Sequence, residues 1–329
     1  MSRPRCVVLS GGVGGAKLVL GLSHALPGEA LLALVNTGDD FEHLGLHVSP
    51  DIDTVVYTLA GLANPETGWG RVGETGGFMA ALAEIGGESW FFLGDRDLAM
   101  HVERTRRLRA GESLSAVTDA LRRRLGVAAR IVPMSDDPVG TMVGTPNGEL
   151  AFQHYFVRER CAPVVAGFRF DGAVRARPQP DALAALADPG LEAVLIAPSN
   201  PYISVDPILA VPGFREALAM CHAPVVAVSP IVGGRAIKGP TAKMMAELGL
   251  VPDALAVARH YEGLIDGFVL DAADAGAAEA VRGLGMAVLA TATVMATLDD
   301  RVRLADEAFA FARGLSRGRS ESTRRLARL

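Results

Sequence analysis

Cysteine is scarce in this 329-residue chain. Cys6, Cys161 and Cys221 are scattered, so neither a disulfide framework nor a zinc pattern is present. No apolar run approaches the roughly 20 residues that span a bilayer, so no membrane role is expected. Positive charge is not in surplus: a net charge of -5 argues against nonspecific nucleic-acid binding. The opening residues MSRPRCVVLSGG enter an apolar strand at once and leave no room for a signal peptide, so the cytoplasm is the expected location. Lysine is the scarcest charge, since of 32 basic residues only Lys17, Lys238 and Lys243 are lysine. A compact ammonium and a guanidinium fork are not interchangeable, which singles out Lys17 in GGAK. What is abundant is apolar material, 50% of the chain, enough for a large core. With no flexible linker and no internal repeat, residues 1–329 read as a single α/β domain.

The richest stretch runs from Ser10 to Thr54, where SGGVGGAK, NTGDD and SPDIDT each follow an apolar run. Behind the short strand Cys6 to Leu9 stands a glycine loop, then a helical pattern from Leu18 to Leu26. Gly11, Gly12, Gly14 and Gly15 allow close backbone approach to an anion. The N–H groups of a helix start carry partial positive charge, and Lys17 adds a full one. A phosphate or diphosphate is the expected occupant; the alternative is a tight turn that packs strand against helix. The spacing fits neither G-x-G-x-x-G nor G-x-x-x-x-G-K-[ST]. After Leu31 to Val35 come Asn36, Asp39 and Asp40, followed by Asp51 and Asp53, and these carboxylates are hard oxygen ligands of the kind Mg²⁺ prefers. Capping of a helix from Ile52 to Leu62 by Ser49 or Asp51 is the competing structural role. Phosphate grips beside carboxylates point to a metal-assisted reaction on a phosphorylated ligand.

Eight apolar runs have strand length: Val7 to Leu9, Leu31 to Val35, Trp90 to Leu93, Arg130 to Met134, Val194 to Ala197, Val225 to Val228, Phe268 to Leu270 and Met286 to Ala290. Helical patterns between them predict a doubly wound, mostly parallel, Rossmann-like α/β sheet. Ligands bind beyond the carboxyl ends of such strands, so SGGVGGAK, NTGDD, GDRD, SDDP, PSNP, SPIVGG and DAAD are expected around one crevice. Residues 54–126 read as a helix-rich cap, with helices from Thr75 to Ile85, Leu98 to Arg109 and Ser113 to Leu125. Residues 141–174 read as a small antiparallel insertion, with a turn at Pro146-Asn147-Gly148 between Thr141 to Gly144 and Glu149 to Val157, then Val164 to Phe170. The tail from Arg313 carries six arginines and is expected to be a solvated terminus.

Several further groups carry two readings. Arg96 between Asp95 and Asp97 either lines a site or sits in an ion pair, and His101, one helical turn beyond Asp97, is within its reach. Ser135, Asp136 and Asp137 line a site or cap a helix. Ser199 and Asn200, like Ser229 to Gly234 with Lys238 behind them, hold a base or second phosphate, or simply close loops. Trp69 in GWG stacks on a planar heterocycle or packs in the core.

In order, SGGVGGAKL, NTGDD, SPDIDTVVYTLAG, GWG, FLGDRDLAMH, MSDDPVGT, FQHYFV, APSNPYISVDPIL, SPIVGGRAIKGP and LATATVMATLDDRVRLA resemble the 2-phospho-L-lactate transferase family of coenzyme F420 biosynthesis, over nearly the whole chain. The resemblance implies transfer of a phosphorylated three-carbon acid, as phospholactate or its phosphoenolpyruvate or phosphoglycerate equivalent, from a guanosine diphosphate conjugate to the deazaflavin Fo. GMP is released, Mg²⁺ is the implied cofactor, and a homodimer is expected. Asp53, Asp40 and Lys17 are then the expected catalytic residues, with Asp39, Asp40 and Asp53 as metal ligands. Gly11 to Lys17 and Ser199 to Pro201 would hold the nucleotide, with Asn36 and Thr54 nearby and Trp69 and Phe92 as aromatic contacts. The chain departs from the family at Phe92, where some members present a lysine, at Met100, and at Ala292, where an acid is expected between Thr291 and Thr293. On this reading Asp53→Ala abolishes turnover with the fold intact, and Lys17→Ala weakens donor binding. Two other functions compete: a nucleotide-binding regulator of the same superfamily, separable by its failure to bind a fluorescent deazaflavin, and an NAD-dependent oxidoreductase, separable by titration with NAD(H).

Overall fold

The protein is described here by a computed structural model covering residues 3–315. Seven strands form the main sheet: β1 (Cys6–Ser10), β2 (Leu31–Val35), β3 (Arg130–Pro133), β4 (Ala193–Ile196), β5 (Val225–Val228), β6 (Gly267–Asp271) and β7 (Ala287–Thr291). Their spatial order is β7-β6-β5-β4-β1-β2-β3, and every neighbouring pair is parallel. The chain winds from β1 outward through β2 and β3, then returns to β4 on the other side of β1. That reversal is the topological switch point, where the loops leaving β1 and β4 diverge and open a crevice.

Continuous apolar strands follow from burial on both faces. Val7 and Leu9 pack with Leu32 and Leu34 into one core layer. Cys6 and Val8 pack with Leu31, Ala33 and Val35 into the other, beneath α1 (Gly12–Ala25), α2 (Pro50–Leu59) and the C-terminal helix Leu298–Gly314. The predicted doubly wound sheet is thus the observed one, with seven of the eight expected strands.

The eighth run forms no strand. Trp90 and Phe91 instead pack edge-on against Phe41 and His43 of a small hairpin (Phe41–His43 with Leu46–Val48), with ring centroids 4.8 Å apart for Phe41 and Phe91 and 5.2 Å for His43 and Trp90. A four-residue apolar run satisfies itself equally well by ring packing or by ladder pairing, so periodicity alone misreads it. The expected helices are α3 (Gly77–Glu84), α4 (Asp95–Arg109) and α5 (Leu114–Arg124), the last capped by the Ser113 hydroxyl accepting from the Ala116 amide. α4 starts earlier than the apolar pattern indicates because Asp95 and Asp97 occupy its first turn, where carboxylates suit the helix dipole. Within residues 54–126, the second half of α2 belongs to the main core, with Val55, Val56 and Tyr57 buried. The antiparallel insertion is a three-stranded sheet of Gly148–Ala151, Gly140–Thr145 and Gly167–Asp171. Its second strand stops at Ala151, and His154–Arg158 is helical rather than extended as the sequence suggests. No helix among the described residues is long and apolar enough to cross a membrane. Most of the arginine-rich tail, from residue 316 on, lies outside the described residues.

Candidate functional site at the topological switch point

Helix α1 begins at Gly12, directly after β1, so most of the predicted glycine loop is its first two turns. Gly12 takes a left-handed backbone (φ 63°), which lets the chain turn from strand to helix in one residue. An added Cβ at Gly14 would sit 2.4 Å from the Pro198 carbonyl oxygen, and Gly15 packs as closely on the side chains of Ser10 and Ser199. Strand–helix packing therefore accounts for these two glycines. Gly14→Ala is expected to lower stability by about 1–3 kcal/mol through overpacking; a denaturation midpoint equal to the wild type would contradict this close approach.

A cleft of about 600 Å³ opens at the switch point. Gly11, Gly12, Gly14 and Lys17 edge it from the start of α1 and the residue before it, Asp39 from NTGDD, Thr54 from SPDIDT, and Ser199 and Asn200 from the loop after β4. Its outer wall is aromatic: Trp69 and Phe92, 55% and 51% exposed, stand with Trp90, Phe91, Phe152 and Phe156. Asn36, Asp40, Asp53 and Gly15 do not line it.

The acids divide into two sets. Asp39 and Asp51 face the cleft, both buried. Asn36, wholly buried at the end of β2, ties them together, its amide donating to Asp51 at 2.9 Å and to Asp39 at 3.4 Å. Asp51 also accepts the Gly12 amide at 2.6 Å, so it sits on the N-terminus of α1 rather than capping its own helix. Neither acid has a lysine or arginine partner among the described residues. Burial and then the nearby Asp51, Asp40 and Asp53 charges hold the Asp39 carboxyl well above the usual range. Burial likewise pushes Asp51 up to about 6, against the opposing Asn36 and Gly12 hydrogen bonds. Asp51, passed over in the sequence in favour of a capping role, is thus a principal member of the site; its signal was the pair of acids two residues apart.

Asp40 and Asp53 point away from the cleft. Asp40 accepts from the Ser49 hydroxyl at 2.7 Å and lies 3.2 Å from His47 Nε2. Both Asp53 oxygens are taken by the Arg104 guanidinium, itself 1% exposed. His101 Nδ1 lies 3.7 Å from Asp53, and its Nε2 lies 3.4 Å from Asp97, the expected one-turn contact. Asp97 also accepts the Tyr57 hydroxyl at 2.5 Å. Asp53, Asp97 and His101 lie close enough to hold a metal ion. The guanidinium of Arg104, however, already supplies the positive charge there.

On the basic side, Lys17 Nζ donates to the Met295 carbonyl at 2.8 Å and Lys238 Nζ to the Thr67 carbonyl at 2.7 Å, and both line the cleft. Burial, then Arg301 and Lys238, lower the Lys17 ammonium's pKa.

Three predicted loops do not converge here. Asp95 accepts from the Gly77 and Phe78 amides at the start of α3, and Arg96 Nη1 reaches the Val72 carbonyl at 3.5 Å rather than either aspartate. Asp136 caps α5 through Ser115, and Asp137 pairs with Arg177. Asp271 accepts from Ala273 and Thr293, and Asp274 from Gly233. Strands stand about 4.8 Å apart, so loops at the sheet margins lie too far from the switch point unless the chain runs back, as Thr293 to Met295 do.

Residues 6–301 match the family described as 2-phospho-L-lactate transferase CofD. Curated relatives named phosphoenolpyruvate transferase include one from Streptomyces avermitilis, 46% identical over 314 residues and covering 94% of this chain and 98% of that protein. One from Streptomyces griseus is 44% identical over the same span and coverage. Another, from Mycobacterium sp. strain KMS, is 37% identical over 328 residues, 92% of this chain and 98% of that protein. In fold alone the chain is similar to a crystal structure of a UPF0052 family member from Bacillus halodurans, with a TM-score of 0.61 at 15% identity, covering 94% of this chain and 99% of that one. The chain therefore belongs to the 2-phospho-L-lactate transferase CofD family.

Proposed function

We propose that this protein transfers a phosphorylated three-carbon acid from its guanosine diphosphate conjugate to the terminal hydroxyl of the deazaflavin Fo, in coenzyme F420 biosynthesis. The name shared by the curated relatives favours the phosphoenolpyruvate-derived conjugate as donor. One observation carries the reading: at a single crevice, two acids without basic partners and a half-buried lysine flank the start of α1, beside an aromatic wall suited to a planar ring.

In the proposed reaction the Fo hydroxyl oxygen bonds to the phosphorus that bears the acid. The anhydride bond to that phosphorus breaks, its oxygen leaves with GMP, and the hydroxyl proton passes to solvent. Lys17 is placed to offset the charge that develops on the leaving phosphate. The aromatic wall orients the acceptor and keeps water from the reacting phosphorus. Asp39 and Asp51 would hold Mg²⁺: two buried carboxylates in mutual repulsion form a hard-oxygen donor set that a divalent cation neutralises. Bound there, Mg²⁺ supplies charge neutralisation at the diphosphate.

Incubation with Fo, Mg²⁺ and each guanylyl conjugate separately, followed by product mass, tests the reading. The phosphoenolpyruvyl conjugate is expected to yield the coupled deazaflavin and GMP; no product from any conjugate would refute it. Lys17→Ala should weaken donor affinity about tenfold or more, by loss of one charge-assisted contact, and undiminished affinity would displace the diphosphate from this end of the cleft.

A further inference from the structure

We propose that Lys238 is a second phosphate-binding cation, and that its ammonium exchanges the Thr67 carbonyl for the donor's diphosphate as the donor binds. The inference rests on the transferase reading above and adds to it a residue and a moving turn.

Of the chain's three lysines, two line this one cleft, Lys17 on α1 and Lys238 beyond the hairpin Ile231–Val232 with Arg235–Ala236. Lys238 is anchored by the Thr67 carbonyl, at 2.7 Å, and is paired with no carboxylate among the described residues. The turn it grips rests on the start of α1: a Cβ added at Gly68 would lie 2.7 Å from a Val13 methyl and 3.2 Å from Lys238 Nζ. Gly68 itself is left-handed (φ 80°), a backbone that permits this approach. The turn is closed on itself by the Asn64 amide donating to the Gly70 carbonyl at 3.1 Å and the Gly68 amide to the Asn64 carbonyl at 2.9 Å, so it moves as a unit and carries Trp69 with it.

The charge around it is unbalanced. Arg301 and Lys238 both act on the Lys17 ammonium, no carboxylate is ion-paired to any of the three among the described residues, and Arg301 Nε is buried without a hydrogen-bond partner. A multiply charged anion is the ligand that balances such a group. An ammonium bonded to a neutral carbonyl gains by moving to a phosphate oxygen, because there it meets a full opposite charge rather than a dipole. The exchange releases Thr67 and couples donor binding to the position of Trp69, on the aromatic wall where the acceptor is proposed to lie.

Guanosine diphosphate is the probe, with calorimetric titration and hydrogen exchange of residues 64–70 on wild type, Lys238→Met and Lys238→Arg. Wild type is expected to bind GDP and to change its exchange at residues 64–70 on binding. Lys238→Met should bind GDP about tenfold to a hundredfold more weakly, with a smaller loss for GMP, and its turn should exchange faster without nucleotide and respond little to it. Lys238→Arg, which keeps the charge, should recover most of the affinity. Lys238 is exposed, so the fold should tolerate both changes. Equal GDP affinity in Lys238→Met, or the wild-type exchange response in that variant, would overturn the inference and leave the transferase reading standing. No GDP binding by wild type would overturn both.

Discussion

Asp51→Asn is expected to reduce turnover by roughly a hundredfold to a thousandfold, the scale of losing metal-supplied charge neutralisation in the transition state. The amide keeps the shape of the side chain and still offers an oxygen to the Gly12 amide, but its NH2 replaces the oxygen that accepts from Asn36, so lost charge and one lost hydrogen bond, rather than lost packing, account for the effect. The pH behaviour follows from the same carboxyl. In the folded protein burial raises it to about 6, against an ordinary value of 3.8. Between those values the folded state binds more protons than the unfolded chain, so the stability of the metal-free protein falls as pH rises across the window. Cation binding needs the ionised form and therefore weakens as pH falls through about 6. Mg²⁺ should thus raise the thermal midpoint strongly at about pH 7.5 and weakly at about pH 5. Asp51→Asn should lose both that Mg²⁺ response and much of the pH slope. Retention of a wild-type Mg²⁺ shift by the variant would remove Asp51 from the cation site.

Asp53→Ala should be destabilised by about 3–5 kcal/mol, because it leaves the Arg104 guanidinium buried and uncompensated. The sequence-based expectation that this substitution spares the fold did not include a partner 51 residues away. Replacing both members with apolar residues, Asp53→Leu with Arg104→Met, should recover most of the loss, since a buried ion pair and a well-packed apolar pair are often near equal in stability. Urea denaturation of the single and double variants measures the difference. A single variant as stable as wild type would show that the ion pair does not support the core. If the double variant folds yet is inactive, the Asp53–Arg104 pair contributes to the reaction as well as to stability.

Much of this protein was legible residue by residue. The sheet strands other than β7 announced themselves because burial on both faces leaves a strand no polar side to show, and the edge strand β7, only partly buried, is apolar all the same. Asp97 and His101 met as their four-residue spacing requires. Of the three lysines, Lys17 and Lys238 reach the cleft, while Lys243 turns away to Glu247 and Tyr155. Other signals misled where local pattern admits two outcomes. Trp90 and Phe91 found rings rather than a strand partner, and Asp136 and Asp137 found scaffold partners rather than the cleft.

The sequence by itself determined the layered sheet, the order of its loops and the stock of glycines, lysine and carboxylates near the first two strands. Only the tertiary structure decided which acids belong to the cleft. At about 100° per residue, positions two apart on a helix point about 200° from each other. Asp51 therefore faces the start of α1 and the cleft, whereas Asp53 is turned to the opposite side of α2, onto Arg104. Helical phase is local, but what lies on each side of a helix is set by elements remote in sequence, and that settled which carboxylate remains without a cation.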